Sequence, residues 1–454
     1  MATSLITIFF TQKNASLLLI GISTLLAHAY LSYAVIRTDV HQVFGIFALL
    51  FAAYYLLYRN IQTPKQYYYG ITLAIAARLI LLFSFPNLSD DIYRFIWDGS
   101  VLGAGISPFA YTPSHFFDGT YLGMPIASLS PHLYNQLNSP DYFTIYPPVC
   151  QFIFYLGNYF FPNSLLGSAI IVKLFLFFCE CLSIFLLHRL VKVWQISQKK
   201  VLLYALNPLV IAELVGNIHF EAAMITGILL AIYGLQVQKN NLSALGMTFA
   251  ICSKLLPLLL LPFLVRRLSW QQLSVYFLII ASLTTIGFIP LIDIDSLQHL
   301  TSSIGLYFGR FEFNASLYYL LRKVGYIITG HNYIILIAPF LALTVLCSIL
   351  WMAYREKDLS TRHLVHQSFF ALALYLALAT TVHPWYITSL VALSPFMPYR
   401  FALVWSAATV LSYYAYLSAS YTENLYLVAF SYLIVYGYFL YEYSSYQHKC
   451  QAPI

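Results

Sequence analysis

Apolar runs long enough to cross a bilayer recur along the chain, separated by short polar connections. A helix rises about 1.5 Å per residue, so about 20 apolar residues cross a hydrocarbon core of about 30 Å. Spans are predicted near residues 15–36, 40–58, 70–87, 165–191, 201–215, 221–237, 242–254, 256–268, 273–292, 331–354, 364–382, 385–399, 401–419 and 424–443, about 14 crossings in all. No ten-residue alternation suggests a β-barrel, and no internal repeat is visible. The fold class is therefore an all-α polytopic integral membrane protein. The first run, near Ser16–Val35, is long enough to span and lacks a small-residue cleavage site, so it reads as a span rather than a cleaved signal peptide.

The basic residues give these spans a direction. Lys13, Arg59, Lys65, Arg189, Lys192, Lys199, Lys200, Lys239, Arg266, Arg267, Arg355, Lys357, Arg362, Arg400 and Lys449 fall in short connections or near the chain ends. By the positive-inside rule these are cytoplasmic, as are both termini. Residues 88–164 hold one Arg (Arg94), no Lys and five Asp, and are placed outside. The run "YPPVCQFIFYLGNYFFP" (146–162) follows. If it crossed, the basic cluster at 189–200 would lie outside, so it is read as an interfacial helix opened by Pro147 and Pro148. The outline is a helix pair over 1–69, a core over 70–400 with outer loops 88–164 and 293–330, and a final helix pair and tail over 401–454.

Composition excludes several classes. The chain is 60% hydrophobic and 9% charged, so its partner is a lipid bilayer and not water alone. The net charge of +7 is scattered rather than patched, which argues against nucleic acid. Six cysteines show no CxxC and no Cys/His metal spacing. There is no Walker loop and no GxGxxG.

Five polar groups stand out, all on the outer side of this topology. "SDDIYRFIWDGS" (89–100) carries Asp90, Asp91, Arg94 and Trp97. Adjacent acids point in different directions on a helix, so one can face a substrate while the other caps the helix or pairs with Arg94. "GNIHFEA" (216–222) offers Asn217, His219 and Glu221, or simply a polar loop with a cap. Lys254 in "CSKLLP" suits an anion such as phosphate, or is an interfacial lysine reaching water. "YFGRFEFNASLYYLLRK" (307–323) holds Arg310, Glu312 and Asn314 within an aromatic belt. "TTVHPWY" (380–386) holds His383 and Trp385; a lone His is most often structural, and a His beside phosphate is the functional alternative. Carboxylates, cations and aromatics together suit a substrate made of sugar, phosphate and lipid tail.

These motifs resemble the GT-C superfamily of membrane glycosyltransferases, and more narrowly bacterial polyprenol-phosphate-mannose-dependent mannosyltransferases. The resemblance rests on "SDDIYRFIWDGSVLGAGISPFAYTP" (89–113), "YPPVCQFIF" (146–154), "LNPLVIAELVGNIHFEA" (206–222), "SKLLPLLLLP" (253–262), "FEFNASLYYLLR" (311–322) and "HPWY" (383–386). It implies a GT-C-like bundle with interfacial helices in the first large outer loop. It implies a carboxylate base in that loop, here Asp90 or Asp91 with Asp91 preferred, and Glu221 as a second acid. It also implies basic or His groups at the donor phosphate, here Lys254, Arg310 or His383. In this chain the base follows the third span rather than the first, which two added N-terminal spans would explain.

The implied reaction is inverting transfer of a sugar, mannose first among candidates, from a polyprenyl-phosphate donor to a hydroxyl of a lipid, glycan or protein acceptor. A phosphate monoester leaves readily, so one carboxylate to take the acceptor proton suffices. No cofactor is expected; Asp90, Asp91 and Glu221 could hold a divalent ion, but nothing requires one and no metal site is predicted. The rival readings are a transporter or flippase of lipid-linked sugars, which should show paired repeats and midplane charges, and a ligase using a diphosphate-linked glycan. Arg78, Lys173 and Glu180 are the candidates for charges inside the membrane.

Overall fold

Caps and prolines set the helix boundaries. Thr63 and Gln66 form a reciprocal capping box with Pro64 in the first turn, and Ser269 with Gln272 does the same further on, satisfying backbone N–H groups that a helix start leaves open. A computed structural model describes residues 12–126, 128–292, 294–418 and 420–451, with side chains described for all of these except 12, 13, 294, 295, 304, 306–310 and 448–451. The α-helices of eight residues or more are α1 (Gln12–Tyr33), α2 (Val40–Asn60), α3 (Pro64–Ile80), α4 (Asp91–Gly103), α5 (Pro148–Phe160), α6 (Leu165–Val193), α7 (Glu221–Gln236), α8 (Asn240–Ser253), α9 (Trp270–Phe288), α10 (Ile294–Arg310), α11 (Leu317–Thr329), α12 (Ile334–Arg355), α13 (Thr361–Leu378), α14 (Phe401–Ala408) and α15 (Leu425–Gln451). Among the described residues there is no strand, only one parallel bridge between Phe313 and Thr381.

Among the described residues seven helices are long and apolar enough to cross a membrane: α1, α2, α3 with its extension to Phe83, α6, α9, α12 and α15. Pro208–Gly216 and α7 pass the same test only together, and they meet at a bend of 112°. This is seven or eight candidate spans, against the 14 expected from the sequence. Proline accounts for part of the difference. The expected span near 256–268 is a 3₁₀ run, Leu256–Leu264, with Pro257 and Pro262 inside it. The one near 385–399 is three short turns punctuated by Pro384 and Pro395. Each proline removes a backbone donor and breaks the α pattern. Such irregular backbone is tolerated where protein surrounds it, and Ile387–Phe396 is buried throughout.

One continuous apolar core runs from Leu17 on α1 to Val435 on α15. The α1–α2 pair joins it through Phe47, whose ring lies 6.2 Å from that of Tyr413, and through Tyr54, which donates to the Leu203 carbonyl at 2.9 Å. The α7–α8 hairpin packs backbone against backbone. A Cβ added at Gly227 would meet Ala250 N and Gly246 O at 2.6 Å, so any larger residue forces the helices apart. This antiparallel contact brings the start of α7 beside the end of α8. Gly99 likewise seats α4 directly on the Phe154 backbone of α5.

Candidate active site

The two adjacent acids part company at the start of α4. The Ser89 hydroxyl accepts from the Asp91 amide at 3.2 Å and so caps the helix. Asp90 is ion-paired with Arg37 from the α1–α2 connection and accepts from the Tyr421 hydroxyl at 3.3 Å. Arg37 also lies over the Tyr416 ring at 4.9 Å. Asp91, one residue on, points elsewhere. Among the described residues its carboxylate accepts no hydrogen bond, and its ion-pair neighbour is His219 Nε2 at 3.9 Å. The side chain keeps 23% exposure. Burial pushes the Asp91 carboxyl above the usual range; Asp90 and Glu221 add to this, while His219 and Lys254 oppose it.

His219 lies in the break between Pro208–Gly216 and α7, outside both helices. The break begins in a π-helical turn, Ile211–Gly216, a form that clusters at functional sites. It continues through Ile218, a buried β-branched residue at φ +61°, a backbone state that costs about 1–3 kcal/mol. Asn217 holds the break in place: its Oδ1 accepts from the Leu88 amide at 3.2 Å, and its Nδ2 donates to Glu213 at 3.1 Å. His219 Nδ1 lies 3.0 Å from the Glu213 carbonyl and 3.2 Å from its Oε2. His219 Nε2 is buried and has no hydrogen-bond partner among the described residues. Burial alone would lower the pKa of this imidazole, but the Glu213 bond and the charges of Glu213, Asp91 and Glu221 raise it above the ordinary value.

Glu221 opens α7 and Lys254 ends α8, and the hairpin packing pairs them in an ion pair. The Lys254 ammonium sits 4.1 Å from the Tyr386 ring centroid and keeps 32% exposure. Cys150 of α5 donates to the Ser253 carbonyl at 3.2 Å, tying α5 to the same place.

Four rings form a column beside Asp91. Phe313 stacks on His383 at 4.8 Å, His383 on Trp385 at 4.4 Å, and Trp385 on His219 at 3.7 Å. The bridge fixes its base: Phe313 N donates to the Thr380 carbonyl at 3.1 Å and Val382 N to the Phe313 carbonyl at 2.8 Å. Burial, with His219 and Lys254 nearby, lowers the His383 pKa to about 3, so this ring is neutral.

The structure thus gathers Asp91, His219, Glu221, Lys254, His383 and Trp385, with Asn217 behind them. The other candidates lie in separate networks. Arg94 donates to Asp98 at 2.8 Å and to the Tyr142 carbonyl at 2.9 Å, organising the loop after α4. Trp97 is buried against Phe116, Phe117 and Tyr134. Glu312 is ion-paired with Arg322 and accepts from Tyr318 at 2.5 Å. Asn314, at φ +46°, donates to the Val382 carbonyl at 3.1 Å and so supports the ring column from below. Arg310 ends α10, and its side chain lies outside the described residues. Glu213 is the residue that sequence reasoning passed over; an acid inside an apolar run was the available signal. Among the described residues no group of three or more His, Cys, Asp or Glu converges as a metal site.

Comparison with known proteins adds the chemistry. Residues 9–269 match the alpha-(1->6)-mannopyranosyltransferase family, N-terminal domain. No curated protein matches the chain significantly. The family match covers more than half of the 454 residues, and the chain belongs to this GT-C-type mannosyltransferase family.

Proposed function

We propose that this member of the mannosyltransferase family transfers mannose from a polyprenyl-phosphate donor to an acceptor hydroxyl at the extracytoplasmic face of a bacterial inner membrane, with inversion and with Asp91 as general base. The observation that carries this reading is the division of labour at α4. Asp90 is held by Arg37, whereas Asp91 lies among the charges of His219, Glu221 and Lys254 and accepts no hydrogen bond among the described residues.

In the reaction the acceptor oxygen attacks the anomeric carbon. The bond from that carbon to the phosphate oxygen breaks, and polyprenyl phosphate leaves with the electron pair. The acceptor proton passes to Asp91. Lys254, steadied by Glu221, meets the charge that grows on the leaving phosphate, with His219 beside it. A β-linked donor then yields an α-mannoside, as the family description names. That description also points to a primary 6-hydroxyl as the acceptor group. The apolar helices receive the polyprenyl tail. No cofactor is required for these steps.

The test uses the protein in lipid nanodiscs with polyprenyl-phosphate-mannose and an α-mannoside acceptor. Release of polyprenyl phosphate that needs Asp91, and not Asp90, supports the reading. Failure to bind any lipid-monophosphate sugar rejects the donor and favours a diphosphate-linked donor or a transporter.

A further inference from the structure

Glu213 is fully buried and lies on a π-helical turn, away from the outer loop that carries Asp91. Its partners account for its position. Oε1 accepts from Asn217 at 3.1 Å and from the Tyr413 hydroxyl. Oε2 faces His219 Nδ1 at 3.2 Å, and the Glu213 carbonyl lies 3.0 Å from the same nitrogen. The carbonyl accepts the Nδ1 proton, and Oε2, which has no hydrogen bond among the described residues, faces the same nitrogen as a charge. This fixes Nδ1 as a proton-bearing position and leaves Nε2 pointing the other way. Trp385, stacked at 3.7 Å, prevents the ring from tilting.

Nε2 is buried and without a hydrogen-bond partner among the described residues, yet it lies 3.9 Å from Asp91 Oδ2. That gap is too long for a direct hydrogen bond, but one oxygen atom can touch both ends. An unanswered polar atom aimed at a carboxylate is costly unless a ligand completes it. The other charged groups facing His219 are Glu221 of α7 and, next to it, Lys254 of α8; His383 lies beyond Trp385.

We propose that Glu213 is a positioning residue of the transfer reaction, acting through His219 to hold Nε2 toward the substrate oxygen that sits between His219 and Asp91. This inference rests on the reading of Asp91 as base. Asp91 takes the proton from that oxygen, and His219 fixes where the oxygen sits.

The test is a double-variant cycle of Glu213→Gln and His219→Gln in nanodiscs, with kcat and KM for donor and acceptor. Glu213→Gln is expected to lower kcat about a hundredfold, leave donor KM within about twofold, and add nothing to His219→Gln. Effects that multiply, or a Glu213→Gln kcat within threefold of wild type, overturn the proposal. A readout independent of turnover is the 15N spectrum of histidine-labelled protein, with His219 assigned by its loss in His219→Gln. The Nδ1 resonance is expected to shift in Glu213→Gln; an unchanged resonance overturns the proposal. Asp91→Asn run in parallel separates the two readings. If Asp91→Asn stays active, the base assignment falls, while the Glu213–His219 coupling is still read from the cycle and the spectrum.

Discussion

Two groups of charged residues in this molecule are both buried among apolar helices, and they differ in how completely their partners answer them. In the first, Arg78 of α3 donates to Glu180 of α6 at 2.8 and 3.1 Å and to the carbonyls of Ala74 and Ala205. Tyr204 donates to the other oxygen of Glu180. Lys173 places its ammonium on the Leu81 and Ser84 carbonyls and the Ser84 hydroxyl, at 2.7 to 2.8 Å, and so closes the end of α3. His28 beside Arg78 is the exception in this group: neither of its buried ring nitrogens has a hydrogen-bond partner among the described residues. In the second group, among the described residues, Asp91 accepts no hydrogen bond and His219 Nε2 has no hydrogen-bond partner, while Lys254 remains partly exposed. Charge inside an apolar segment therefore does not by itself mark a reaction centre. Arg78, Glu180 and Lys173 stitch helices together, and the group around Asp91 leaves polar atoms without a hydrogen bond among the described residues.

That contrast breaks first at Asp91. Asp91→Asn is expected to lower transfer by about 10³-fold with no change in thermal unfolding; a loss of stability in place of activity would put Asp91 with the stitching residues. Arg78→Met should do the reverse. Removing one partner of a buried pair costs about 3–5 kcal/mol, seen as a lower unfolding temperature, and Arg78→Met/Glu180→Leu should recover much of it. A double variant as unstable as the single one would show that the pair has further work.

Smaller effects sharpen the same line. Lys254→Gln should raise donor KM about tenfold, with a smaller loss of thermal stability than Arg78→Met because it leaves the buried Glu221 carboxylate without its partly exposed partner. The acid limb of the pH–rate profile should lie above the ordinary aspartate pKa of about 3.9, because the Asp91 carboxyl is raised and must be ionised to act. An acid limb at the ordinary value would argue that Asp91 is not the titrating base. His219 adds a stability signature with a definite sign. Its folded pKa is raised, so its stabilisation is fully present below about pH 6.5 and fades as pH rises through the folded value. The difference in unfolding temperature between wild type and His219→Gln should shrink accordingly. The smallest effect belongs to Asp90→Asn, which loosens a part-exposed pair with Arg37 worth about 1 kcal/mol or less and should reduce transfer only severalfold.

The sequence by itself determined the helical class, because apolar runs of bilayer length admit little else, and it picked out six residues that the fold brings together at the candidate site: Asp91, His219, Glu221, Lys254, His383 and Trp385. Polar side chains are costly in apolar surroundings, so their mere presence was informative. It could not separate Asp90 from Asp91, since Arg37 lies more than fifty residues away and only folding brings it to Asp90. Nor could it show that Arg94, Trp97, Glu312 and Asn314 sit in networks apart from that cluster, because each looks alike in composition and differs only in what it touches. Glu213 went unread for the same reason. Its contact is with Nδ1 of a histidine six positions on, across a π-helical turn and a strained Ile218. Hydrophobic periodicity encodes which segments are helices; which polar atoms remain unanswered is a property of pairs and distances, and those exist only in the tertiary structure.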